Sequence, residues 1–215
     1  MAASNRSIVY VSFSKGDCIE VLGLDRSTGA LASVEQVALP GNGMPLAIAP
    51  DRRHLYAAVA GDDLTGAGPR YLTFAIDPAH GRLTLIGTVD APGRMSHITV
   101  DRTGRFLLGA SVSNDLISSH AIARDGTLTA EPVQVRSVPS KAHQITTDLT
   151  NKFAFVPNLG ADLVMQLRFD AETGRISDNV PPEMSQPPGA APRHITHHPN
   201  GRFLYLLNEE DGSLA

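Results

Sequence analysis

Two turn signals recur along this chain with a shared spacing of roughly 50 residues, which constrains the fold more than any other feature. A basic residue followed by a large side chain recurs at intervals of 52, 47 and 50 residues, as Arg53-His54, Arg105-Phe106, Lys152-Phe153 and Arg202-Phe203. Glycine turns that begin with aspartate recur in phase with it, at residues 25–29, 77–81, 125–126 and 170–174. Two independent signals in phase indicate successive copies of one supersecondary unit.

Short apolar segments lie between these turns, and no stretch of 11 or more residues has a convincing helical period. Successive four-stranded antiparallel units of this length, without helices, are typical of β-propeller blades. We therefore predict an all-β fold with one incomplete β-propeller domain of about four and a half blades. The predicted blades are blade 1 at 8–39, blade 2 at 46–89, blade 3 at 97–135, blade 4 at 143–180 and the start of blade 5 at 193–209.

Four boundary predictions follow from the same pattern. Blade 1 should lack its inner strand, and blade 5 should lack its outer two. The outer strand of blade 3 is predicted at 128–135. The segment 178–192 contains five prolines, and we interpret it as a loop between blades because the repeat resumes in phase after it.

Composition excludes several classes of partner. The formal net charge is −4 with both signs dispersed, so nucleic acid and anionic membranes are poor candidates. No segment approaches the ~20 apolar residues of a membrane span. The first 15 residues lack the pattern of a signal peptide, and the single cysteine, Cys18, fits a reducing compartment. These observations predict a cytoplasmic protein.

In a propeller, the residues just before each inner strand crowd one mouth of the central channel. Histidine recurs at this phase in three units, as His97, His143 and His194. Packing alone would favour hydrophobic residues there, so the pattern indicates a polar pocket.

The hairpin at 193–209 adds opposite charges to the same place. Its turn is Asn200-Gly201, and the outer ends of its strands carry Arg193-His194 and Asn208-Glu209. Because the far ends of two hairpin strands meet, a cation and a carboxylate should lie together at this mouth. A structural ion pair between the two strands is the alternative interpretation.

These residues resemble a known family, the lactonase seven-bladed β-propellers, which include the propeller-type 6-phosphogluconolactonases and the fungal carboxy-cis,cis-muconate cyclase. The resemblance lies in Pro192-Arg193-His194…Pro199-Asn200-Gly201-Arg202-Phe203-Leu204-Tyr205…Asn208-Glu209, in Asp170…Thr173-Gly174, and in Ala142-His143-Gln144…Phe155-Val156-Pro157-Asn158-Leu159-Gly160. It implies a seven-bladed ring in the full family and hydrolysis of a sugar lactone, most specifically 6-phosphogluconolactone to 6-phosphogluconate.

The resemblance places the catalytic residues on His143, Arg193 and Glu209. Glu209 or His143 would activate a water as base, each tuned towards neutral pH by the channel. Arg193 would bind the anionic tail or the oxyanion through its guanidinium fork. The family has a further arginine in a later blade, outside this chain, and often a tyrosine where Val112 stands.

Three further residues are candidate substrate-binding residues: His97, His194 and Asn208. His194 directly follows Arg193 on a strand, so it should face the opposite side, which favours a structural role. Three other histidines fall in turn or outer-strand positions and are predicted to be solvated, namely His54, His80 and His120.

No metal and no cofactor is expected. The pair His197-His198 should point to opposite faces of a strand, which argues against a shared ion.

The candidate site with His143, Arg193 and Glu209 could instead serve a carboxymuconate-type lactonising cycloisomerase, or a non-catalytic propeller that binds a small anion or a protein. We expect the full-length form to be a monomer. Residues 1–215 alone should be close to inactive and should self-associate through open blade edges.

Overall fold

A computed structural model describes residues 6–61 and 66–215. Within these ranges there is no α-helix, and one 3₁₀ turn lies at Leu159–Ala161. The strands, in chain order, are β1 Arg6–Phe13, β2 Cys18–Asp25, β3 Leu31–Ala38, β4 Gly43–Ile48, β5 His54–Val59, β6 Arg70–Ile76, β7 Leu83–Asp90, β8 His97–Val100, β9 Phe106–Ser111, β10 Leu116–Ala121, β11 Gln134–Ser137, β12 Thr146–Thr147, β13 Phe153–Asn158, β14 Leu163–Phe169, β15 Ile176–Ser185, β16 Pro192–His197 and β17 Leu204–Asn208.

The strands form successive antiparallel sheets in which each strand pairs with its neighbours along the chain. Sheet one has the order β1-β2-β3, sheet two β4-β5-β6-β7, sheet three β8-β9-β10-β11 and sheet four β12-β13-β14-β15. The hairpin β16-β17 follows as a fifth unit. The sheets do not close into a ring. This architecture confirms the predicted all-β, incomplete β-propeller.

The core lies between sheets, which explains why β5 is a continuous apolar run rather than an alternating one. On β5, Leu55 and Ala57 pack against Ile19 of sheet one. The intervening Tyr56 faces the other way and packs with Leu107 of sheet three. A strand buried on both faces in this manner favours hydrophobic residues at successive positions.

Two strand boundaries differ from the sequence prediction. Residues 181–185, which lie beyond the predicted end of blade 4 and were assigned to the loop, belong to β15, the edge strand of sheet four. Pro181 and Pro182 are tolerated there because they lie in an irregularity of the ladder, where residues 179–182 have no partner on β14. The outer strand of sheet three is Gln134–Ser137 rather than 128–135, and Leu128 makes a single bridge to Ile122.

Across the described residues, no helix is long and apolar enough to pass through a bilayer.

His120 is fully buried, so the prediction that it is solvated is wrong. Its relative exposure is 0%, and its ring meets the ring of Tyr71 edge to face at 5.1 Å between centroids. Neither ring nitrogen has a hydrogen-bond partner among the described residues. Burial lowers the pKa of His120 to about 4 because a charged imidazole loses its hydration in the core.

We expect acid to destabilise the protein partly through this residue. The folded state holds His120 neutral down to about pH 4, whereas the unfolded chain takes up a proton near its ordinary value of 6.5. The free energy of unfolding should therefore fall as pH drops through this window, by ~2 kcal/mol between pH 7 and pH 5 from His120 alone. His120→Leu should reduce that loss, as measured by urea unfolding at the two pH values. An equally steep loss in the variant would contradict this.

Candidate active site at the inner strand ends

A β-bulge at the start of β16 brings two consecutive side chains to the same pocket. Pro192 pairs with Asn208 and His194 pairs with Leu207, so Arg193 is an extra residue without an opposite partner. A bulge re-aims the side chains beside it. Arg193 and His194 consequently both contact His143, and the prediction that His194 faces the opposite side is wrong.

Arg193, Glu209 and His143 form one cluster. The Arg193 Nε atom lies 3.0 Å from Glu209 Oε2 and donates to His143 Nε2 at 3.1 Å. The backbone N–H of Glu209 donates to Ala191 O at 2.9 Å, which fixes the two outer ends of the hairpin against each other. The side chains of Arg193 and Glu209 are 41% and 42% exposed, so the ion pair is open to solvent and to a ligand. The structure thus brings together the three residues proposed as catalytic, and their roles stay predictions.

The imidazole of His143 is neutral at pH 7. Burial lowers its pKa to about 4, the positive charges of Arg193 and His194 act in the same direction, and Glu209 opposes them. A neutral ring is also what the hydrogen bond requires, because Nε2 must present its lone pair to the Arg193 N–H. The expectation that the channel tunes His143 towards neutral pH is therefore wrong.

His97 and His194 complete a group of neutral imidazoles around this cluster. The His143 and His194 rings meet edge to face, with centroids 4.9 Å apart. Burial, followed by His194 and His143, lowers the pKa of His97 to about 4. Burial and Arg193 also lower the pKa of His194. The site can therefore offer hydrogen bonds from uncharged rings beside a single guanidinium. Substrate binding by His97 and His194 stays a prediction.

Asn208 lies next to the site but is turned into the protein. Its side chain is 2% exposed, and its Nδ2 donates to Ser213 Oγ at 2.9 Å. Its Oδ1 has no hydrogen-bond partner among the described residues. This position favours a role in shaping the segment after β17, and direct substrate contact by Asn208 stays a prediction.

Asp162 supports the site from a distance and was not found by the sequence analysis. Its carboxylate accepts the backbone N–H groups of Gly189 at 2.7 Å and Ala191 at 2.8 Å. These bonds hold the pKa of Asp162 below its usual range. They also anchor the loop that leads directly into Arg193. Such a contact spans 27 and 29 residues of sequence, so no local motif signals it.

The described residues contain no group of three or more His, Cys, Asp or Glu side chains arranged to hold a metal ion. His197 and His198 contact different aromatic rings: His197 lies against Phe155, and His198 lies against Phe203 and Tyr205.

Fold and site together define an open β-propeller with a polar, ligand-accessible cluster, built on an arginine–glutamate ion pair, at the ends of its inner strands. Comparison with known proteins then gives the family. The sequence profile described as "Lactonase, 7-bladed beta-propeller" matches residues 8–215, and the chain belongs to this family.

Among similar proteins, a 6-phosphogluconolactonase of Pectobacterium carotovorum subsp. carotovorum is 36% identical over 209 residues, which covers 97% of this chain and 60% of the relative. A 6-phosphogluconolactonase of Yersinia pestis is 34% identical over 213 residues, with the same coverage. The chain thus spans about 60% of the length of the curated relatives it matches.

Two solved structures are also similar. The Pseudomonas aeruginosa periplasmic gluconolactonase PpgL superposes with a TM-score of 0.86 at 26% identity, covering 97% of this chain and 63% of that one. A protein of Bacteroides fragilis described as a putative 6-phosphogluconolactonase has a TM-score of 0.84 at 19% identity, covering all of this chain and 67% of that one, and supports the fold alone.

Proposed function

We propose that the protein hydrolyses a sugar lactone, most specifically 6-phosphogluconolactone to 6-phosphogluconate. The observation that carries this proposal is the cluster in which Arg193 Nε lies 3.0 Å from Glu209 Oε2 and 3.1 Å from His143 Nε2, at the ends of the inner strands. The names of the Pectobacterium and Yersinia relatives support the substrate class. We also propose that its ligand is a small anionic lactone, that it acts without a metal or cofactor, and that it is cytoplasmic.

Arg193 is suited to bind anionic oxygens. Among the described residues, its hydrogen bond and ion pair both run through Nε. The two outer nitrogens of the guanidinium therefore remain for a ligand. Their fork geometry matches two oxygens of a phosphate or carboxylate, or the oxyanion of a tetrahedral intermediate. In the proposed reaction Arg193 stabilises the negative charge that develops on the lactone carbonyl oxygen.

Glu209 is the better base of the two candidates. The Nε2 lone pair of His143 already accepts the Arg193 N–H, so it is not available to take a proton from water. In the proposed step Glu209 removes a proton from water, and the hydroxide oxygen bonds to the lactone carbonyl carbon. Collapse of the tetrahedral intermediate breaks the ring C–O bond, and the proton passes to the departing ring oxygen, which leaves as a hydroxyl group.

His143 then has an orienting role. His143 accepts the Arg193 Nε–H and thereby fixes the plane of the guanidinium. Because its ring is neutral, His143 adds no second positive charge that would compete with Arg193 for the substrate anion. His97 and His194 can donate to hydroxyl or phosphate oxygens of the sugar from the same side.

The test is lactone loss at pH 7, measured with freshly generated 6-phosphogluconolactone and corrected for spontaneous hydrolysis. Two proteins are compared: residues 1–215, and a hybrid in which residues 1–215 precede the remaining part of the Pectobacterium relative. We expect turnover in the hybrid that depends on Glu209 and little in residues 1–215 alone. Turnover of a muconolactone instead would indicate a cycloisomerase. Binding of 6-phosphogluconate without turnover of either lactone would indicate a non-catalytic propeller.

A further inference from the structure

The side-chain amide of Gln144 joins two neighbouring units of the propeller. Its Nε2 donates to Ile195 O at 3.1 Å, and the Ile195 N–H donates to its Oε1 at 2.6 Å. Both residues are buried, at 9% and 5% exposure. An amide carries one acceptor and a donor group, as a peptide does, so Gln144 satisfies both backbone groups of Ile195 on the side of β16 that faces away from β17.

This connection lies at the catalytic cluster. Gln144 directly follows His143, and Ile195 is two residues beyond Arg193. We propose that Gln144 is a positioning residue that sets the His143–Arg193 contact by tying together the two backbone segments that carry these side chains. The catalytic consequence of this role rests on the proposed function, and the geometric consequence stands without it.

The backbone of His143 is held on its other sides by different groups. Its N–H donates to Pro157 O at 3.0 Å within sheet four. Its carbonyl accepts the Ser96 hydroxyl of sheet three, also at 3.0 Å. Two interactions connect this part of sheet four to β16: the amide bridge of Gln144, and apolar packing of Ile195 against Val164. Loss of the amide would leave packing, which is non-directional, to set the spacing between His143 and Arg193.

The chain contains the same device at a second place. Gln134 Nε2 donates to Ile176 O at 3.0 Å, and the Ile176 N–H donates to Gln134 Oε1 at 2.8 Å. This pair joins the outer strands β11 and β15, away from the inner strand ends. It has the same chemistry and nearly the same distances, so Gln134 is a matched control for a purely structural amide bridge.

The experiment compares Gln144→Met with Gln134→Met. Methionine keeps the approximate length of glutamine but cannot make either hydrogen bond, so each variant leaves one isoleucine N–H and one C=O unpaired. Both should lower the midpoint of thermal unfolding, Gln144→Met by more because its bridge is buried whereas the Gln134 bridge is half-buried. Gln144→Asn, which keeps the amide on a shorter side chain, is measured in place of Gln144→Met if the latter does not fold.

The first readout is the protonation of His143, followed by NMR of its labelled imidazole at pH 6 in residues 1–215. The charged and titratable groups facing this ring are Arg193, His194, His97 and Glu209. With the Arg193 contact intact, His143 should remain neutral at pH 6. We expect its protonated fraction to rise in Gln144→Met, because the Arg193 charge moves away while burial remains, and to stay unchanged in Gln134→Met.

The second readout is turnover by the hybrid. A displaced guanidinium should lower kcat by ten- to a hundredfold in Gln144→Met with a smaller change in KM, whereas Gln134→Met should stay within about twofold of the unmutated hybrid. If Gln144→Met matches Gln134→Met in His143 protonation, the inference is wrong. If the unmutated hybrid turns over no lactone, the proposed function fails, and the NMR comparison still decides the role of Gln144.

Discussion

Replacing Arg193 with methionine should reduce lactone turnover by the hybrid roughly 10²- to 10³-fold, the size of effect seen when one donor to a developing oxyanion is removed. The variant loses the two outer guanidinium nitrogens that we propose bind the substrate, and it also frees His143 and Glu209 from the shared Nε contact. Binding of 6-phosphogluconate should weaken in parallel if the same guanidinium holds the anionic tail.

Arg105→Met is the matched control. Arg105 forms an ion pair with Glu172 at 2.9 Å, its side chain is 46% exposed, and it lies in the turn between β8 and β9, at the end of β8 opposite His97. Both substitutions therefore remove an exposed arginine from an ion pair. Surface pairs of this kind contribute little to stability, so Arg105→Met should retain turnover and melt close to the unmutated protein.

Two further variants separate charge from chemistry at the site. Arg193→Lys keeps the positive charge without the fork, so partial recovery over Arg193→Met would indicate a mainly electrostatic role. Glu209→Gln keeps the shape of the side chain without its basicity and should abolish turnover while preserving anion binding. Equal turnover in Arg193→Met and Arg105→Met would show that the ion pair is structural, the alternative that the sequence alone left open.

The proximity of Arg193 and Glu209 could be predicted from sequence because it follows from hairpin topology. A turn at Asn200-Gly201 requires the far strand ends to meet, whatever the rest of the fold does. The all-β propeller followed from the phase of two repeated turn signals for the same reason: both are short-range features that the chain encodes locally.

Other features depend on contacts between units and could not be predicted in this way. The bulge at Arg193 adds one residue to a strand and so reverses the face of His194. The alternation of side chains along a strand, read from sequence, does not reveal such an extra residue. His120 was expected in solvent because an outer-strand position looks polar, yet a neighbouring sheet covers it. Gln144 bonds to backbone groups 51 residues away, and Asp162 bonds to backbone groups 27 and 29 residues away.

Residues 1–215, produced as a separate polypeptide, should self-associate through two apolar sheet faces. On β17 the inward side chains Leu204 and Leu206 pack towards sheet four, whereas the alternate side chains Tyr205 and Leu207 are 38% and 43% exposed. On β1 of sheet one, Phe13 is 46% exposed. In a propeller such faces are covered by neighbouring blades, and contiguous exposed apolar surface favours association.

The expected result is a mass above the 22.8 kDa of the monomer that rises with concentration in light-scattering chromatography. Tyr205→Glu combined with Leu207→Glu should shift the protein towards monomer, because burying two carboxylates in an interface costs several kcal/mol. Leu85→Glu is the control, since Leu85 is 53% exposed on β7, away from both faces, and the variant should associate as the unmutated chain does. A monomeric chain at every concentration would contradict the prediction. Equal association of all three proteins would place the contact elsewhere than on β17, because the double variant leaves the β1 face unchanged.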